Sequence, residues 1–180
     1  LNESVVEKMP PDLVQSRKRL EARALAALGK VPEAMTALGN DQSRDADLLR
    51  ADIYWRNRNW VEAGKVLARI TDKIDLSENA TLSDDDAQLL LRRAAALWLA
   101  DDRDGLDNLR DRAAAAIDKT KYVTDFKVIA AAQAGEVDSV EAVTQRLSEI
   151  EAYTTFAADL KGKKADAQNE PAKEVAAAPK

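Results

Sequence analysis

Leu20–Leu38 reads LEARALAALGKVPEAMTAL, and its pattern decides the fold. Apolar residues at Leu20, Ala24, Ala27 and Leu28 mark one face of a helix. That face stops at Gly29, and a new one begins after Pro32 with Ala34, Ala37 and Leu38. Glycine commonly ends helices and proline fits their first turn, so the stretch predicts two helices folded against each other. The same grammar recurs three times downstream, which predicts an all-α chain built as a stack of helix pairs. Such stacks usually hold other molecules and do not transform them.

Bulk composition points the same way. The chain is 46% hydrophobic but only 4% aromatic, and rich in Ala, a mixture that suits close-packed helices better than sheets. Its 180 residues suit one domain, able to bury about 70% of the surface that the unfolded chain exposes. A net charge of −5 argues against a nucleic-acid partner, because phosphate binding needs concentrated Lys and Arg. With neither Cys nor His, the chain has no disulfide, no thiolate or imidazole metal ligand, no cysteine nucleophile and no histidine acid–base chemistry. Neither paired carboxylates in a cleft nor an activated hydroxyl stands out, so no enzymatic activity and no cofactor is expected. No apolar run approaches the roughly 18 residues of a membrane span, so direct membrane insertion is not expected. The chain shows no signal-peptide pattern and opens at Leu1, not Met, as expected of a portion of a longer protein. The Ala/Pro/Lys-rich tail suits a bacterial protein of the periplasm or the cytoplasm, anchored through upstream sequence.

Taken in order, residues 1–10 are expected to be the end of a preceding helix or a linker, with Val5, Val6 and Met9 at near-helical spacing before Pro10-Pro11. A helical domain is predicted over 11–161. Its first helix runs from Pro11 to Gly29, and its second from near Pro32 to Gly39-Asn40. Ser43 or Asp45 caps the third, which carries Leu48, Leu49, Ala51, Tyr54 and Trp55 and breaks at Asn57–Asn59. Asn59 with Glu62 has the spacing of a capping box for a helix burying Ala63, Val66, Leu67 and Ile70. Asp72–Leu82 is predicted to be a loop, longer than most helix–helix connections. Ser83 then caps a helix whose first turn holds Asp84, Asp85 and Asp86, three carboxylates better explained by the helix dipole than by a metal. That helix carries Leu89, Leu90, Ala94, Leu97 and Trp98, and its partner follows the break at Asp101–Asp104. The fourth pair is predicted from Val123–Ala134, a Gly135-Glu136 turn, a capping box of Asp138 with Glu141, and a last helix reaching about Leu160. Residues 162–180 have no apolar period, and disorder is expected there.

The turn-and-restart segments align without gaps: LGKVPEAMTAL at Leu28, NRNWVEAGKVL at Asn57, ADDRDGLDNLR at Ala100 and AGEVDSVEAVT at Ala134. The equivalent residues Ala34, Ala63, Leu106 and Val140 are spaced by 29, 43 and 34 positions, and the last is the length of a tetratricopeptide repeat. The first helices add a small residue at Ala22, Ala51 and Ala94, followed three later by Leu25, Tyr54 and Leu97. On these residues the chain resembles the tetratricopeptide-repeat family, over about Pro11–Leu160. The third unit departs with Leu106 in place of Ala and Asp101 in place of Gly. The fourth has Val128 and Val140 at the small-residue sites, and the proline between repeats is missing throughout. An irregular helical bundle is the alternative, since Ala-rich hairpins serve both.

The resemblance implies a solenoid whose first helices line a concave surface. Its inward pattern falls on Arg19 and Arg23, on Asp52, Trp55 and Arg56, on Gln88, Leu91 and Trp98, and on Tyr122 and Asp125. The expected partner is a protein or peptide, with Arg gripping carboxylates and aromatic rings supplying area. The competing expectation for Trp55 and Trp98 is that they fill space between helices. The Asn and Lys positions by which chaperone-binding members clamp a C-terminal carboxylate do not occur together here. The other function class left open is a structural or assembly domain that self-associates through its end helices.

Overall fold

A computed structural model describes residues 10–131 and the helical positions Gln145 and Ser148. The chain divides into two compact units, 1–134 and 135–180, and the packing below lies within the first. Its described residues form seven helices and no strand: α1 Pro11–Ala27, α2 Val31–Leu38, α3 Arg44–Arg56, α4 Trp60–Thr71, α5 Asp84–Leu99, α6 Arg103–Ile117 and α7 Val123–Ala131. The predicted turn at 135–136, the last helix to about Leu160, the segment 1–9 and the tail 162–180 lie outside the described residues.

Local chemistry accounts for the helix ends. Pro11 occupies the first turn of α1, where its missing N–H costs no hydrogen bond. Ser43, Asn59, Ser83 and Asp102 cap α3, α4, α5 and α6 by accepting backbone N–H bonds from Ala46, Glu62, Asp86 and Gly105. The capping box expected of Asn59 and Glu62 forms only in this direction. Asn59's own N–H is spent on the Tyr54 carbonyl (2.9 Å), and the Glu62 carboxylate takes Lys65 instead (2.7 Å).

One turn repeats three times. Gly29, Arg58 and Asp101 all have left-handed backbones, with φ of 75°, 55° and 56°. After each, the next N–H reaches five residues back: Lys30 to Leu25, Asn59 to Tyr54 and Asp102 to Leu97. This motif satisfies orphan carbonyls at a helix C-terminus while reversing the chain. It falls on the positions that the gap-free sequence alignment superposes.

Packing joins α1 to α2, α3 to α4, α4 to α5, and α5 to both α6 and α7. Ala22, Ala51 and Ala94 are completely buried, as are Ala34 and Ala63, so small side chains stand where helix backbones approach. The first core cluster holds Ala22, Ala34, Leu38, Ala46, Leu49 and Ile53. Leu90, Leu91, Leu109, Ile117, Ile129 and Phe126 are buried further along. Each such large side chain is worth about 1.5–3 kcal/mol on burial.

Cations close the junctions between pairs. Arg50 donates to the carbonyls of Gly39 (2.7 Å) and Asp41 (2.6 Å) just beyond α2. Arg93 reaches Thr71 (2.9 Å) and Asp72 (2.7 Å) at the end of α4, and the Lys127 ammonium lies 2.8 Å from Asp118 at the end of α6. In sequence these three cations each precede the small-residue site, at Ala51, Ala94 and Val128. A positive charge at a helix C-terminus is favoured by the helix dipole.

Candidate functional site

The sequence places ten residues on the face of the first helices, and the structure sorts them by what they touch. Arg19 donates to Asp41 (2.9 Å), and to Ser43 and Ser16, which ties α1 to the turn ahead of α3. The Ser43 backbone amide bonds the Asp41 carboxylate, and with the Arg19 guanidinium beside it holds this acid below the usual range against a smaller cost of burial. Arg23 and Arg56 are exposed.

Asp52 and Trp55 meet through a residue that the sequence pattern did not single out. Arg92 of α5 donates to Asp52 (2.6 Å) and lies over the Trp55 ring, 5.4 Å from its centroid. Trp55 is buried and packs edge-on against Trp60, with ring centroids 5.1 Å apart. Arg92 thus links α3 to α5 by an ion pair and a cation–π contact on one guanidinium. A signal was present in sequence: Arg92-Arg93 interrupts the otherwise apolar run LLLRRAAALWL, and charges in a buried helix need partners.

Gln88 and Tyr122 also meet, Gln88 Nε2 donating to the phenol oxygen at 2.6 Å. Tyr122 is buried at the start of α7, with the Lys121 ammonium 5.2 Å from its ring centroid. Lys121 pairs with Asp84, which raises its pKa. Leu91 has no exposed surface and belongs to the core. Trp98 is partly buried, and its indole N–H is shielded from solvent without a hydrogen-bond partner among the described residues. Asp125 is partly buried in α7.

What these residues offer is therefore a set of polar contacts that join α3 to α5 and α5 to the start of α7. Asp52–Arg92 and Gln88–Tyr122 form this seam, and Arg23 and Arg56 are exposed cations on α1 and α3. No model of a protein family, no curated protein and no solved structure matches the chain.

Two of the three acids in the first turn of α5 are engaged with cations, Asp84 with Lys121 and Asp86 with Arg44. Asp86 accepts from Arg44 (2.8 Å) and from the Ser83 hydroxyl (2.8 Å). Among the described residues no group of three or more acids is placed to hold a metal ion. Among them, too, no helix is long and apolar enough to cross a membrane.

Proposed function

We propose that this chain is a protein-interaction module, a tetratricopeptide-like stack of helix pairs that holds an acidic, extended peptide along its first helices. The observation that carries the reading is the recurrence of one unit. The left-handed turn at Gly29, Arg58 and Asp101, and the cation at Arg50, Arg93 and Lys127, return at equivalent positions of successive pairs. A repeat built this way presents the same face of each first helix in register. The exposed guanidiniums of Arg23 on α1 and Arg56 on α3 are suited to carboxylates. The test is an Arg23→Glu, Arg56→Glu double variant. With unchanged helicity by circular dichroism, it is expected to lose capture of partners bound by the wild-type chain. Unchanged capture would remove the groove from consideration.

One observation favours a second reading, assembly through the first helix. Leu13, Leu20 and Leu28 of the α1 region are 57%, 64% and 73% exposed. Leu13 and Leu20 lie seven residues apart on one side of the helix, a spacing suited to pairing with a second copy. Sedimentation equilibrium should then show a dimer that Leu20→Glu dissociates. A wild-type chain that stays monomeric at high concentration rejects this reading.

A further inference from the structure

The connection between α4 and α5 is the longest among the described residues, and it has a structure of its own. Asp75 accepts the Ser77 amide (2.9 Å), Ala80 bonds the Ser77 carbonyl (2.9 Å), and Lys119 donates to the carbonyl of Glu78. Held in this way, the loop walls a cleft of about 330 Å³ between the start of α3, the end of α4 and the first turn of α5. Clefts of this size lie at the small end of ligand sites. A short turn, such as 57–59 between α3 and α4, would leave no wall here.

The lining is divided by chemistry. Ile70, Ile74 and Leu82 give it an apolar side. Of its acids, Asp47 is bonded by Arg50 and Arg69, Asp86 by Arg44 and Ser83, and Asp75 by Ser77. Its cations are less committed. Arg44 uses Nη2 on Asp86, and Lys73 makes no side-chain hydrogen bond or ion pair among the described residues. Lys73 is thus the cation left to a ligand beside the apolar wall, and Asp75, bonded only by the neutral Ser77, keeps its negative charge at the rim.

We propose that this cleft binds a small aliphatic carboxylate, its hydrocarbon against Ile70, Ile74 and Leu82 and its charge toward Lys73 and Arg44. The inference does not depend on the peptide-binding reading, because the cleft shares no residue with that seam or with Arg23 and Arg56.

The experiment follows the methyl resonances of Ile70 and Ile74 in the full chain during titration with 4-methylpentanoate, with its uncharged amide, and with a capped tripeptide ending in Leu with a free carboxylate. Saturable shifts with the acid, absent with the amide, are expected. Lys73→Gln, a change at an exposed position, should weaken binding about tenfold or more, the usual worth of a charge-assisted hydrogen bond. The Arg23→Glu, Arg56→Glu variant should bind the acid like wild type. Tighter binding of the tripeptide than of the free acid would support the same site and assign its carboxylate to a chain terminus. Equal binding of acid and amide, indifference to Lys73→Gln, or no saturable shift with any probe would overturn the proposal.

Discussion

The Arg93 guanidinium sits on the end of α4, with Nη1 2.7 Å from the Asp72 carboxylate. Asp72 caps that end, where its charge by itself opposes the helix dipole. Burial raises the cost of this carboxylate further, yet Arg93 and then Arg112 outweigh that cost and hold its pKa below the usual value. Arg50 and Lys127 perform the same service at the ends of α2 and α6. Their burial ranks them: the Arg50 and Arg93 side chains are each 12% exposed and that of Lys127 is 65% exposed. Replacing Arg50 or Arg93 with Met, which keeps the apolar stem, should cost about 1–3 kcal/mol in urea unfolding, because buried acceptors lose their donor. Lys127→Met should cost less, since exposed pairs contribute little. Equal losses at the three sites would contradict this ranking.

Acid should weaken the fold through Asp47. This buried carboxylate pays for desolvation, but bonds from Arg69 (2.7 Å) and Arg50 (2.9 Å) outweigh that penalty and depress its pKa. An acid whose pKa is depressed on folding adds stability above its unfolded value of about 3.9. That contribution is lost as pH falls through the depressed folded value. Asp72 and Asp86 act in the same direction. Thermal midpoints should therefore drop steeply below about pH 4. Asp47→Asn should be less stable than wild type at pH 7 and should lose less on acidification. Parallel pH curves for the two proteins would refute the assignment.

Arg58 supplies a stabilising change. Its φ of 55° is a conformation that side chains other than Gly rarely adopt. Gly29 occupies the equivalent turn at φ 75°. Arg58→Gly should raise stability by roughly 0.5–1 kcal/mol, the relief of left-handed strain less the added entropy of the unfolded chain. A fall in the thermal midpoint would show that the Arg58 side chain contributes more than its backbone costs.

Two helical glycines should respond oppositely to Ala. A Cβ at Gly64 would meet Ala96 Cβ and Leu97 Cδ2 at 3.8 Å, ordinary contact distance. Gly64→Ala should therefore gain about 0.5–1 kcal/mol from helix propensity. At Gly105 the new atom would stand 2.6 Å from Asp102 Oδ2 and 2.8 Å from Asp102 Cγ, the carboxylate that caps α6. There the gain should be cancelled or reversed by loss of the cap, worth about 1 kcal/mol. Calorimetric melts of the two variants compare them directly, and a gain at Gly105 matching that at Gly64 would show that the cap shifts without cost.

Much of the first unit was legible in the residues themselves, because its signals are local. A cap joins residues three apart, and a left-handed turn needs one unusual φ, so Ser43, Asn59, Ser83 and the aligned Gly29, Arg58 and Asp101 could be found without knowing what packs on what. The buried Ala22, Ala51 and Ala94 followed from the same register. The candidate face was harder. In α5 buried residues run almost continuously from Ala87 through Leu97, since α4, α6 and α7 all pack on this helix. A helix enclosed on most sides has no single polar stripe to mark its outward face. Leu91 was accordingly placed on the binding surface by pattern and lies in the core, while Arg92 beside it carries the contact to Asp52 and Trp55.

By itself, the sequence determined the described helices, most of their ends and the repeating turn, since these depend on backbone geometry and hydrogen bonds within a few residues. Only the tertiary structure decided which charges are spent. Arg19 finds Asp41 across 22 positions and Arg92 finds Asp52 across 40, and the loop after α4 becomes one wall of a cleft. Such pairings depend on how far each helix is rotated and displaced against its neighbours, and that is set by the packing of the whole core and not by spacing along the chain.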